Sequence, residues 1–362
     1  MDNKSEVFNF LSLLRGVAVS FVIWAHLGGW WLSSKGYSSF LQDGWEGIFV
    51  KPLHLFQNGG HLGVLIFFLV SGYIITHVSL RETALEFSIK RIFRIFPALA
   101  VALLITYIIS YFCKRFGISY PLGLGDHDVS SYISSFFLIN YLNGAVAVNG
   151  VTWTLLIEVI FYALTAVLMT MTRNNPTGAT YFFIALVSFS IMLAGVVPGL
   201  KLLSFYSVYI LFLLVGRSYY LGSSGVISTK ESASLIVTCL FLYIAFYEYI
   251  YPGSLFTNPS PAYPVIYSDI LAMIIFMFAA NTCRSIGRAG IFVADSSYSL
   301  YLLHLPVGGL SLVFLDAAGF GFEVSFVVSL LICFVASYMM LVLVERPSQN
   351  AARLVIKKMQ GG

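Results

Sequence analysis

Ten apolar runs long enough to cross a bilayer recur along this chain, near residues 8–32, 60–80, 95–112, 151–172, 179–197, 203–221, 233–250, 264–281, 296–315 and 323–345. Each is close to the ~20 residues that carry a helix across a hydrocarbon core at about 1.5 Å per residue. Lipid offers a bare backbone no hydrogen-bond partner, so runs of this kind cross as helices, which bond their own amides. The fold expected is an all-α, polytopic membrane helix bundle of about ten transmembrane helices, a single membrane-embedded domain over residues 1–362. Composition excludes the soluble alternative: 59% of residues are hydrophobic and 10% charged, where a soluble domain carries about 25% charged residues. One further segment, Ser131–Leu142, is too short to cross and is expected to form a short interfacial or re-entrant helix.

The loops carry an orientation signal. With the N-terminus inside, fourteen Lys and Arg residues, Arg217 among them, fall on the cytoplasmic side and five outside; Arg15, within the first run, completes the twenty. That excess of positive charge puts both termini in the cytoplasm. Were Ser131–Leu142 to cross, every later loop would change sides and the excess would largely vanish. The apolar stretch from Phe8 to Leu32 is too long for a cleavable signal peptide and holds both Arg15 and His26. Two loops, 33–59 and 251–263, face outward and are rich in Gly, Pro and aromatic residues. They either roof an external cavity or simply connect spans. The net charge of +4 is small and dispersed, which leaves membrane lipid as a partner and no nucleic acid. Cys113, Cys239, Cys283 and Cys333 show no Cys-x-x-Cys spacing, so neither a metal site nor a disulfide framework is expected.

Ionisable side chains inside the apolar runs are the informative residues, because each costs several kcal/mol unless it faces a cavity or a partner. Arg15 and His26 lie eleven residues apart on the first run. Eleven helical steps of about 100° return to within about 20° of the starting direction, some 16 Å farther along. The two side chains therefore share a face, like two ends of one polar channel. The bland alternative has Arg15 snorkelling to the surface and His26 bonding a neighbouring helix. Glu158 lies several residues into another apolar run, with Tyr162 one turn on, and needs a cation or protonatable partner such as His26 or Arg15. A protonated Glu158 that only ties helices together is the alternative. Lys90, Arg91 and Arg94 cluster before the third run, a pattern able to grip phosphates. Taken alone, such a cluster more often meets anionic lipid headgroups. His304, with Tyr301 one turn away, is a further intramembrane histidine suited equally to packing or to a site.

Taken together and in order, these segments resemble the acyltransferase-3 family of membrane acyltransferases. The first-run Arg and His, ten residues between them, match Arg15 and His26. Gly63, Val64, Phe67, Phe68, Ser71 and Gly72 match a Gly-Val-x-x-Phe-Phe-x-x-Ser-Gly pattern, and Arg91, Arg94 and Pro97 match a basic run ending in Arg-x-x-Pro. Trp153, Leu155, Glu158, Phe161 and Tyr162 resemble the family's Trp-x-Leu-x-x-Glu-x-x-Phe-Tyr. Ser297 to Pro306 resembles Ser-Tyr-Ser-Leu-Tyr-x-x-His-x-Pro, and Glu345-Arg346-Pro347 the closing Glu-Arg-Pro. Ser12 and Leu65 depart from the pattern, standing where an acidic or amide residue is frequent.

The resemblance implies O-acyl transfer, usually of acetyl from cytoplasmic acetyl-CoA to a hydroxyl of a surface or exported carbohydrate, by a multi-pass protein of the bacterial inner membrane. Some relatives carry an extra extracytoplasmic domain; about sixteen residues follow the last run here, so none is expected. On this reading His26 and Glu158 are catalytic. His26 serves as general base or acyl carrier, and Glu158 orients its ring. Arg15, Arg91 and Arg94 would hold the acetyl-CoA phosphates, while Trp153, Tyr162, His304 and Ser71 would line the substrate cavity. A transporter shares the ten spans and buried charges but predicts Gly/Pro-broken inverted repeats, which are not visible here. A purely structural protein leaves a buried Arg, His and Glu unexplained.

Overall fold

The computed structural model describes residues 3–250, 263–283 and 285–360. Ten helices in it are long and apolar enough to cross a membrane. We label their main segments α1 (Asn3–Ile23), α2 (Gly60–Ser79), α3 (Ala84–Phe116), α4 (Trp153–Val167), α5 (Pro176–Val196), α6 (Lys201–Ser223), α7 (Thr229–Ile250), α8 (Tyr263–Thr282), α9 (Arg288–Leu303) and α10 (Phe322–Met340). An even number of crossings puts both chain termini on one side, the side the basic loops mark as cytoplasmic. The segment at Ser131–Leu142 forms two short helices, Val129–Phe136 and Asn140–Asn143, neither long enough to cross. The expected outer loop at 251–263 lies, apart from Tyr263, outside the described residues.

The bundle is built around α2 and α6. Of their most apolar windows, 78% and 83% of residues are buried, against 28% for α7. Around this pair stand α1, α4 and α8 against α2, and α4, α5 and α7 against α6; α9 packs on α1 and α10 on α9. Small residues let the central pair approach. A methyl group added at Gly72 would stand 1.9 Å from the Leu213 carbonyl oxygen, and one at Gly216 would stand 2.2 Å from that of Leu69. With lipid as apolar as leucine, such close backbone contact is what draws membrane helices together.

Three elements depart from the lengths expected. The third helix begins at Ala84 rather than near 95, because Thr83 and Glu86 form a reciprocal cap at its start. Lys90, Arg91 and Arg94 therefore ride on the helix itself. The fourth breaks at Leu168 and resumes as Met169–Asn174. The tenth continues through Arg346–Gln360, which buries Ala352 and Ile356 and packs on α3. Arg217, counted among the cytoplasmic residues, is instead fully buried in α6. It donates to the Thr180 and Thr172 hydroxyls at 3.0 and 2.9 Å, which solvate its charge inside the bundle.

Among the described residues four stretches widen into π-helix: Trp24–Trp30, Glu46–Val50, His304–Gly308 and Leu341–Glu345. The last three contain or precede a proline (Pro52, Pro306, Pro347), whose missing N–H breaks the ordinary ladder. The first contains Gly28 and Gly29. His26, His304 and Glu345 all sit in these bulges. The Gly72→Ala variant is expected to lose about 1–3 kcal/mol of stability, the range for overfilling a tight contact. Gly44→Ala, which meets nothing within 4 Å, is the neutral control. Melting temperatures in detergent check this; equal values for both variants would refute the glycine-mediated contact.

Candidate active site

Three guanidinium groups converge where a lipid-embedded bundle is least able to hold them. Arg15 on α1 and Arg91 and Arg94 on α3 line one cavity of about 300 Å³. Arg91 stacks over the Phe87 ring at 5.6 Å, and its Nε is buried without a hydrogen-bond partner. None of the three has an ion-pair partner within 4.0 Å among the described residues. Lys90, next to them, is engaged by Glu82 at 2.7 Å. A buried cation without a counterion costs several kcal/mol, so a cavity lined this way suits an anion with more than one negative charge.

Glu158, on α4, lines the same cavity and offsets one of the positive charges. Its two oxygens are occupied: Ser71 Oγ donates to Oε1 at 2.5 Å and Tyr162 OH to Oε2 at 3.1 Å. Both donors, expected from the sequence at the cavity, are there. The expected contact between Glu158 and His26 is not made. No hydrogen bond joins them among the described residues, because His26 lies a further 11 residues along α1, beyond the cavity. The structure also corrects Trp153. It does not line this cavity but packs against Tyr209, Phe68 and Tyr206, at ring separations of 5.2, 6.3 and 6.4 Å.

Tyr301 lines the cavity wall opposite α4's carboxylate and continues upward to the histidines. Its hydroxyl donates to the Val151 carbonyl at 2.7 Å and lies 2.9 Å from Thr154 Oγ1. Its ring is 5.8 Å from Phe67 on one side and 6.0 Å from His304 on the other. His304, fully buried, meets half-buried His26 with Nε2 and Nδ1 3.1 Å apart. Trp30, 44% exposed, stands 5.9 Å from the His26 ring on the outer side. The order from the terminal side outward is thus guanidinium cluster, carboxylate, tyrosine, histidine pair, exposed tryptophan. Arg15 and His26 both face this axis, as their spacing implies.

Local backbone chemistry holds the pair. Pro306 has no N–H to give the carbonyls one turn before it. The Tyr301 carbonyl lies 2.8 Å from His304 Nδ1, and the Leu302 carbonyl accepts from Asn149 Nδ2 at 2.9 Å. Asn149 was not singled out from the sequence, and no pattern there marks it. Two other residues, given no site role from the sequence, did carry a signal. Asp269 is a carboxylate within an apolar run, and it accepts from His61 Nε2 at 3.2 Å with both side chains buried. Glu345, also buried, accepts from the Ser299 hydroxyl and ties α10's bulge to α9. Among the described residues no group of three or more His, Cys, Asp or Glu side chains could hold a metal ion.

Comparison with known proteins places the chain in a family. The family model described as "Acyltransferase domain" of the acyltransferase-3 type matches residues 8–344. The chain is 27% identical over 305 residues to an "O-acetyl transferase" of Shigella phage Sf6, covering 80% of this chain and 85% of that protein. It is also 27% identical over 336 residues to "Nodulation protein 10" of Rhizobium leguminosarum bv. viciae, covering 84% of each. No solved structure matches the chain significantly. Because the Asn149 amide meets the Leu302 carbonyl, Asn149→Ala and Asn149→Asp are each expected to lose about 1–3 kcal/mol. Thermal melting in detergent checks this, and an unchanged Asn149→Asp would show that the carbonyl has another donor.

Proposed function

The chain belongs to the acyltransferase-3 family and is a multi-pass membrane acyltransferase, and from that premise we propose that it moves acetyl from cytoplasmic acetyl-CoA to a hydroxyl of a surface or exported carbohydrate at the bacterial inner membrane. The observation that carries the donor half is the set of guanidiniums, Arg15, Arg91 and Arg94, that line one cavity without an ion-pair partner among the described residues. Acetyl-CoA is polyanionic at its nucleotide end and neutral along the arm that bears the thioester. The residues present fit it: Arg91 has a buried Nε with no partner, and planar guanidiniums bind phosphate bidentately. With the phosphates held there, the thioester arm would point along the axis past Tyr301 to the histidines. The name of the phage relative, an O-acetyl transferase, supports acetyl as the group and oxygen as the acceptor atom.

An alcohol is a weak nucleophile at neutral pH, so a base must take its proton as it attacks. His26 is the side chain placed for this, half-buried and reachable from the outer side beside Trp30. The acceptor O–H proton passes to a ring nitrogen of His26, and the oxygen forms a bond to the thioester carbonyl carbon. The carbon–sulfur bond then breaks, and the imidazolium returns the proton to the departing thiolate. Glu158, gripped by Ser71 and Tyr162, has a different task from the one its sequence position suggests. It tempers the positive charge around the phosphates.

The test is the acyl content of surface glycan, by mass spectrometry, in cells lacking the protein, complemented with it, or complemented with His26→Ala. One acetyl per repeat that needs both the protein and His26 is the expected result. In membranes supplied with labelled acetyl-CoA, His26→Ala should lower transfer by roughly 100-fold or more. Arg94→Ala should raise the KM for acetyl-CoA about tenfold, the loss of one charge-assisted bond. Substrate movement without acetyl-CoA consumption would overturn the reading.

A further inference from the structure

We propose that His304 is the positioning residue of the His26 base: it holds the hydrogen on His26 Nδ1 and so leaves the reactive lone pair on Nε2. The inference rests on the acyl-transfer reading and names how that site is set. It starts from the backbone. His304 Nδ1 lies 2.8 Å from the Tyr301 carbonyl and 3.2 Å from that of Leu300. Carbonyl oxygens only accept, so this nitrogen bears the hydrogen, and in neutral His304 the lone pair is at Nε2. That Nε2 stands 3.1 Å from His26 Nδ1. Two lone pairs cannot share that space, so His26 Nδ1 bears the hydrogen and the lone pair falls on His26 Nε2.

The chain has arranged this with few degrees of freedom. The Tyr301 carbonyl orients the His304 ring, and the ring in turn orients His26. Both histidines sit in π-helical bulges, one in Trp24–Trp30 and one in His304–Gly308, which turn them toward each other from α1 and α9. No carboxylate hydrogen-bonds to either ring among the described residues, and Glu158, engaged by Ser71 and Tyr162, does not substitute. A neutral imidazole thus does here what an aspartate does in a serine-protease triad. When His26 takes the alcohol proton on Nε2, its Nδ1–H bond to His304 becomes charge-assisted and strengthens.

The experiment combines nitrogen-15 NMR of histidine-labelled protein in lipid with kinetics of two variants. In the wild type, the His26 signals, assigned by their loss in His26→Ala, should report hydrogen on Nδ1 alone at neutral pH. His304→Leu, which keeps bulk but cannot accept, should release that preference and lower kcat by roughly 100-fold while the KM for acetyl-CoA stays within about twofold. His304→Gln, whose amide oxygen can accept from His26, should recover at least about tenfold of the loss. Hydrogen on His26 Nε2 in the wild type would overturn the proposal. So would equal losses in the Leu and Gln variants accompanied by equal falls in melting temperature, the mark of a packing role. The spectrum decides the hydrogen's place whether or not transfer to the chosen acceptor is seen, so failure of the acyl-transfer reading remains distinguishable.

Discussion

Lipid cannot hydrogen-bond, so every polar group inside this bundle has to be answered from within the chain. Several of the charged and strongly polar ones are. Arg217 is met by two threonine hydroxyls, Asp269 by His61, Glu345 by Ser299 and the Leu302 carbonyl by Asn149. Against that background the guanidiniums of Arg15, Arg91 and Arg94 stand apart, since they share one cavity, one carboxylate and no ion pair among the described residues. That shared cavity, with three cations against one carboxylate, is the observation on which the proposed donor site rests.

The same constraint shapes the histidines. Proline in a transmembrane helix leaves carbonyls without donors, and a membrane interior will not leave them so. At Pro306 the Leu302 carbonyl, four residues before the proline, is met by the Asn149 amide, while the neighbouring Tyr301 carbonyl orients the His304 ring. The π-bulges at Trp24–Trp30 and His304–Gly308 serve the same end by rotating side chains out of the register of a regular helix. Close packing of α2 on α6 through Gly72 and Gly216 then holds the wall that carries Ser71 and hence Glu158.

Much of this is legible in the amino-acid sequence because it depends on local pattern. Hydropathy alone finds ten spans, and helical periodicity puts Arg15 and His26 on one inward face. The rule that buried charge needs a reason finds Glu158, with Ser71, Tyr162, Arg91 and Arg94 arriving at the same cavity. The contacts between distant segments are where that reading stops. His26 and His304 are 278 residues apart, so Glu158 was the nearer guess for the imidazole's partner. Trp153 precedes Glu158 by more than one turn, and its ring turns to α6 instead of the cavity. Arg217 looked cytoplasmic because a helix end and a buried position differ by only a turn. Asp269 could have been found by the same test that found Glu158.

The central claim is that donor and acceptor meet from opposite sides of one membrane-spanning axis. The most direct measurement uses oriented proteoliposomes with acetyl-CoA on the face bearing the chain termini and a hydroxyl acceptor on the other. The expected result is acetyl ester on the far-side acceptor, and none when acetyl-CoA is supplied only on the acceptor's side. Ester formed only when both substrates share one side, or acetyl-CoA itself appearing across the membrane, would contradict the account.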